Sequence, residues 1–180
     1  MSVLKSLNGE NTVVHRSVAV RISRKMTQPV QVDCEEKKST RLCGFGPMTR
    51  ITTSFGEMHA QTLRERDMVR TRRGEYKKIE WIDRIVLGED YLKYHPKAQP
   101  ILIRAGSLGR NLPRQDVMFA PHQPISPQQA FTGSTPKCAI DTLGRPNVMR
   151  KTEQLITYTL FHCGEPTSVM CEGMWVDVNP

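Results

Sequence analysis

A chain of 180 residues holds 26 lysines and arginines against 18 aspartates and glutamates, for a formal charge of +8, and is long enough for one domain with its own core plus an arm. The apolar share of 38% with 6% aromatic is modest but inside the globular range, and with no run of eighteen apolar residues no membrane-spanning helix is expected. The basic surplus permits contact with nucleic acid, anionic lipid or an acidic partner, or makes a solvated basic surface.

Five cysteines, Cys34, Cys43, Cys138, Cys163 and Cys171, stand at irregular spacing without a C-x-x-C pair. That pattern argues against a disulfide scaffold and against a zinc site, and most of the five read as small buried hydrophobes in a reducing compartment. Met1 to Asn11 shows neither an apolar h-region nor a small-residue cleavage pattern, so no signal peptide is expected and the cytoplasm is the default. Nothing calls for a metal or an organic cofactor.

Residues 1–42 read as a basic arm. In it Val18, Val20 and Ile22 alternate with Ala19, Arg21 and Ser23, which fits one short strand, so one strand or brief helix is expected between polar flanks. From Cys43 the turn chemistry changes, and residues 43–180 read as one domain. Thr49 to Thr53 is a strand, Ser54-Phe55-Gly56 a tight turn, and Glu57 to Ala60 the returning strand. Arg72 to Glu75 is a hairpin tip after Met68-Val69-Arg70-Thr71, and Lys77 to Leu87 a bulged or twisted strand closed by Gly88. Asp90 to Pro100 is an irregular connector. Ile101 to Ala105 and Val117 to Ala120 are strands, and Pro121-His122-Gln123-Pro124 breaks the ladder, since proline cannot donate to it. Ser126 to Arg150 is mostly loop with short strands. Leu155 to Phe161, Thr167 to Cys171 and Met174 to Val178 are strands, the last two joined by a hairpin tip at Glu172-Gly173. Many short strands at spacings of eight to twelve residues say all-β.

Four ordered blocks resemble bacterial members of the Hint (Hedgehog/intein) domain family. Gly44-Phe-Gly-Pro-Met-Thr-Arg-Ile-Thr-Thr53 with the Gly56 turn is similar to the family opening C-F-x-x-G-T-x-I-x-T. Leu63-Arg-Glu-Arg-Asp-Met-Val-Arg-Thr71 with Ile79-Glu-Trp-Ile-Asp-Arg84 is similar to L-x-x-G-D-x-V-x-T and I-x-W-I-G-R. Ile101-Leu-Ile-Arg-Ala-Gly-Ser-Leu-Gly109, Leu112-Pro-Arg-Gln-Asp116 and Phe119-Ala-Pro121 resemble I-R-I-R-A-G-A-L-G, L-P-R-x-D and V-S-P-x-H. Thr157-Tyr-Thr-Leu-Phe161 through Glu172-Gly-Met-Trp-Val176 is similar to T-Y-Y-H-L and N-G-x-W. The resemblance implies a disc-like, pseudo-two-fold β fold.

It also implies a chemistry. In active members the thiolate of the first cysteine attacks the preceding carbonyl carbon, the C–N bond breaks, and a Thr/Ser-x-x-His element supplies the proton that the departing amine needs. A later histidine assists the second step. Aligned on Thr49-Arg50-Ile51, the cysteine position falls on Gly44, with Cys43 one residue early. Aligned on Ala120-Pro121, the histidine position falls on Gln123, with His122 one residue early, and the Thr/Ser position is Ala120. Counted back from Gly173-Met174-Trp175, the later histidine falls on Leu160, with His162 two residues late. A slip of one residue in a strand turns a side chain to the opposite face, and restoring both sites would need two separate bulges.

The leading expectation is therefore a Hint-like domain with a vestigial self-processing centre, left as a binding or scaffold domain whose partner is another protein or its own arm. Gly44, Gln123 and Leu160 should converge on its cleft. The alternative is self-cleavage between Leu42 and Cys43 by an N-to-S acyl shift, with Cys43 as nucleophile and His122 as acid. A third reading, of another class, is a nucleic-acid-binding module built on Arg64, Arg66, Arg70, Arg72, Arg73, Lys77 and Lys78; only Tyr76 and Trp81 lie near in sequence to stack on bases, which disfavours it. Asn179-Pro180 is similar to the asparagine that inteins cyclise, but no histidine precedes it, and that end reads as a sheet terminus.

Overall fold

The computed structural model describes residues 41–126 and 135–180. The strand expected at Val18–Ile22, Cys34, nearly all of the arm and part of the Ser126–Arg150 stretch lie outside the described residues.

Within them the chain is built of thirteen strands: β1 (Arg50–Thr53), β2 (Gly56–His59), β3 (Met68–Arg70), β4 (Tyr76–Lys78), β5 (Trp81–Leu87), β6 (Ile101–Ile103), β7 (Val117–Phe119), β8 (Pro124–Ser126), β9 (Lys137–Cys138), β10 (Val148–Arg150), β11 (Ile156–His162), β12 (Thr167–Cys171) and β13 (Met174–Val178). One sheet runs β4-β3-β1-β12-β13-β8-β9 with β2 paired to β1; a second runs β10-β6-β7; β11 and β5 form a ribbon. The all-β reading holds.

Strand periodicity explains the placement of the last hairpin. Thr167, Val169 and Cys171 on β12, and Met174, Val176 and Val178 on β13, are buried, while the residues between them are half-buried. Alternate side chains of a strand leave opposite faces, so each strand lays one row on the core. β11 departs from alternation, with Ile156, Tyr158, Thr159 and Phe161 all buried. Both of its faces are covered: Phe161 packs in the main core with Phe45 and Phe119, and Tyr158 in a second cluster with Leu87, Leu92 and Ala120.

Several boundaries differ from the sequence reading. The expected strand Lys77–Leu87 is two strands, because Ile79 turns out of the ladder, exchanging backbone hydrogen bonds with Asp67 and Arg66 (2.8 and 2.9 Å). The connector after Gly88 opens with a short helix, α1 (Glu89–Tyr94), whose Leu92 is buried and whose first turn carries Glu89 and Asp90, acidic residues that favour a helix N-terminus. Ala60 begins a single 3-10 turn rather than ending a strand. Pro124 is tolerated as the first residue of β8, a position where no ladder donor is missed. Cys43, Cys163 and Cys171 are free thiols; Cys138 is disulfide-bonded, which the sequence reading did not expect. Among the described residues no helix is long and apolar enough to cross a membrane.

Candidate functional site

The segment Leu42–Gly46 is the piece that brings the separate sheets together. Its backbone bonds alternately to two walls. Toward one wall, His122 N–H donates to the Leu42 carbonyl (3.0 Å), Ala120 N–H to the Gly44 carbonyl (2.9 Å), and Gly46 N–H to the Met118 carbonyl (2.7 Å). Toward the other, Phe45 and Thr159 exchange N–H and C=O bonds at 2.9 Å each. Met118 belongs to β7 and Thr159 to β11, so this strand-like segment stitches the three-stranded sheet to the ribbon.

Phe45 fixes the segment's depth. Its ring is 1% exposed, stacked on Phe161 at 5.2 Å and edge-on to Phe119 at 5.8 Å. Burying such a ring stabilises by about 1.5–3 kcal/mol, and each aromatic pair adds about 0.5–1.5 kcal/mol. With Phe45 so deep, the flanking glycines must let backbone approach backbone. A Cβ on Gly46 would stand 2.7 Å from Met118 Cβ. One on Gly44 would stand 3.0 Å from Tyr158 Cβ and 3.2 Å from the Thr159 carbonyl oxygen. Gly44 also has φ of +135°, a conformation that L side chains rarely adopt.

Directly above Gly44 lies Gln123, 3% exposed. Its Oε1 accepts the Gly44 N–H at 2.9 Å. Its Nε2 donates to the Asp177 carbonyl at 2.7 Å and weakly to that of Pro124 at 3.4 Å. Two carbonyls on the nitrogen side fix which end of the amide faces Gly44. The Asp177 carboxyl is pushed upward by burial, and its Oδ1 accepts the Ser168 hydroxyl at 2.5 Å, which holds it down in part.

The four positions that the family resemblance assigns thus meet at one place. Gln123 sits on the nitrogen of the peptide bond preceding Gly44, Ala120 holds the Gly44 carbonyl through its own N–H, and Leu160 Cδ1 lies 3.4 Å from where a Gly44 Cβ would be. A carboxamide can accept from that nitrogen but is no acid at neutral pH, alanine has no hydroxyl, and leucine has nothing to transfer.

Cys43 and His122 are also neighbours, but with other partners. The Cys43 thiol donates to the backbone carbonyl of His122 at 3.3 Å. The His122 ring nitrogen Nδ1 accepts from the Leu42 N–H at 3.2 Å, not from the amide of Cys43. Burial pushes the Cys43 thiol up to about 11, opposed by Arg41, so at neutral pH it is held as thiol, the unreactive form.

Cys43, Gly44, Phe45, Gln123 and Leu160 line a cavity of about 140 Å³, closed by Trp81, Phe161, Pro124 and Asp177–Pro180. His162 does not line it but is stacked on Trp81, which does, with ring centroids 5.3 Å apart, its Nδ1 accepting the Gly164 N–H at 3.1 Å. Burial lowers the His162 pKa, opposed by Glu80, and raises the Cys163 thiol to about 11. The contribution that sequence reading missed is Asp177: its backbone carbonyl, which no side-chain pattern announces, orients Gln123. Among the described residues no three His, Cys, Asp or Glu side chains are grouped to hold a metal.

Crystal structures of the gp41-1 intein (9% identity, 74% of this chain and 97% of that one, TM-score 0.49) and the MchDnaB-1 intein (10%, 75% and 99%, 0.44) are similar to it. No curated protein matches the sequence. The family profile described as "Hint domain" matches residues 43–178, three quarters of the chain, and this protein belongs to the Hint domain family.

Proposed function

We propose that this protein is a Hint domain whose self-processing centre is vestigial, kept as a binding or scaffold domain that retains the segment preceding it. The observation that carries this reading is the Gly44 N–H to Gln123 Oε1 hydrogen bond. Self-processing needs a nucleophile at residue 44 and an acid above its nitrogen; here the first is a glycine in a backbone geometry that excludes a side chain, and the second is an amide. The contact remains, while the chemistry it served has no reactive group. What is left is a clip: residues 42–46 are laced to β7 and β11 and plugged by Phe45, so the arm of residues 1–42 stays joined to the domain of residues 43–180.

The second reading, cleavage between Leu42 and Cys43, is favoured by the closeness of Cys43 and His122. It requires an acid on the Cys43 nitrogen, where the imidazole faces the Leu42 nitrogen instead. Incubating the full chain with a strong thiol and recording intact mass separates the two. An unchanged mass supports the vestigial reading; release of residues 1–42, lost in Cys43→Ala, supports cleavage.

A further inference from the structure

The vestigial centre leaves unused the basic stretch between Arg64 and Lys78, and the structure sorts its charges. Lys77 is paired with Glu75 and Glu165, and Lys78 with Glu80. Asp67 is occupied by the backbone N–H of Arg64. Among the described residues no ion pair holds Arg64, Arg66, Arg70 or Arg73, and all four are exposed. They follow one hairpin: Arg64 and Arg66 before β3, Arg70 on it, Arg73 in the turn to β4. β4 ends its sheet, so nothing of the sheet lies beyond it.

Register decides which face Arg70 shares with an aromatic. Val69 is buried and lies opposite Lys77, so Arg70 and its direct partner Tyr76 stand on the outer face; directly opposite residues have neighbouring Cβ atoms on one side of the sheet. Tyr76 is 45% exposed, and Phe55, at the tip whose Ser54 N–H bonds the Met68 carbonyl, is 83% exposed. Sequence offered Tyr76 and Trp81 as stacking partners; the fold takes Trp81 away to the cavity and brings Phe55 to the end of β3 instead.

We propose that the outer face of the β3–β4 hairpin binds single-stranded nucleic acid, with Arg64, Arg66, Arg70 and Arg73 on phosphates and Tyr76 stacked on a base. Guanidinium groups suit phosphate geometry better than ammonium groups do, and an exposed ring next to unpaired cations is the arrangement that tracks a flexible strand without reading its sequence. The chain carries +8, and four exposed arginines outside any ion pair among the described residues fall within ten residues of one another along this hairpin.

The test is fluorescence anisotropy of a labelled oligothymidylate with the full chain across a salt series. Four phosphate contacts on a single strand give a slope of log K against log salt of about −3. Arg70→Ala and Arg73→Ala should each flatten the slope by about 0.7. Tyr76→Ala should weaken binding at least about fivefold with the slope unchanged, because stacking is lost and no phosphate contact is. Circular dichroism confirms that each variant is folded. Absence of binding, equal affinity for polyglutamate, or affinity indifferent to all three substitutions would overturn the proposal. None of these variants touches Gly44 or Gln123, so its failure leaves the vestigial reading standing.

Discussion

The side-chain oxygen of Gln123 accepts the backbone N–H of Gly44 at 2.9 Å, and the same amide is held from behind by the carbonyl of Asp177. A buried main-chain donor is thereby satisfied by a residue seventy-nine positions away in sequence. Gln123→Leu should leave both the Gly44 N–H and the Asp177 carbonyl without these partners, at a cost of about 1–3 kcal/mol. Urea denaturation should show this as a lower midpoint at unchanged slope.

Glycine at position 44 is a steric requirement of the packing around it. Gly44→Ala places a Cβ 3.0 Å from Tyr158 Cβ at φ of +135° and should destabilise by at least about 2 kcal/mol. Gly46→Ala meets Met118 Cβ at 2.7 Å and should behave likewise. Gly88, with open space around it, is the control: its alanine variant should stay within about 0.5 kcal/mol of the parent.

How far the sequence foretold this site depends on what made each contact. Alternation at Thr167–Cys171 and Met174–Val178 was legible because one face of each strand is buried. The convergence of Gly44, Gln123 and Leu160 was implied by the resemblance to the Hint family, whose motifs align onto those positions. That Cys43 and His122 touch through the histidine's carbonyl was not, since it depends on the path of the backbone through Pro121 and Pro124. The split at Ile79 and the helix at Glu89–Tyr94 were missed for a similar reason: Ile79 leaves the ladder for bonds to Arg66 and Asp67, and Leu92 alone pins the short helix.

Burial of Cys43 predicts sluggish thiol chemistry. With its pKa moved from 9.0 to about 11, a difference of two, the folded chain should hold roughly a hundredfold less Cys43 thiolate at neutral pH than the unfolded chain. Iodoacetamide labelling followed by peptide mapping should show the Cys43 rate still rising beyond pH 10. The sign for stability follows: because the folded pKa is raised, the contribution is whole below about pH 9 and declines as pH climbs through about 11.

His162 titrates in the opposite sense. Its pKa is lowered from 6.5 by burial, and its Nδ1 must be unprotonated to accept the Gly164 N–H. Stability from this group is therefore present above pH 6.5 and lost as pH falls through the lower folded value. Proton NMR of the imidazole should give a midpoint below 6.5, and His162→Gln should remove that part of the acid sensitivity.

Whether the Leu42–Cys43 linkage is ever a thioester is tested most directly by trapping with hydroxylamine. A thioester at Cys43 would be captured as a hydroxamate on Leu42, seen by intact mass as a fragment ending there. With a vestigial centre no fragment ending at Leu42 should form on prolonged incubation, in the parent chain or in Cys43→Ala, whatever hydroxylamine does at Asn8-Gly9. A hydroxamate on residue 42 that disappears in the alanine variant would contradict it.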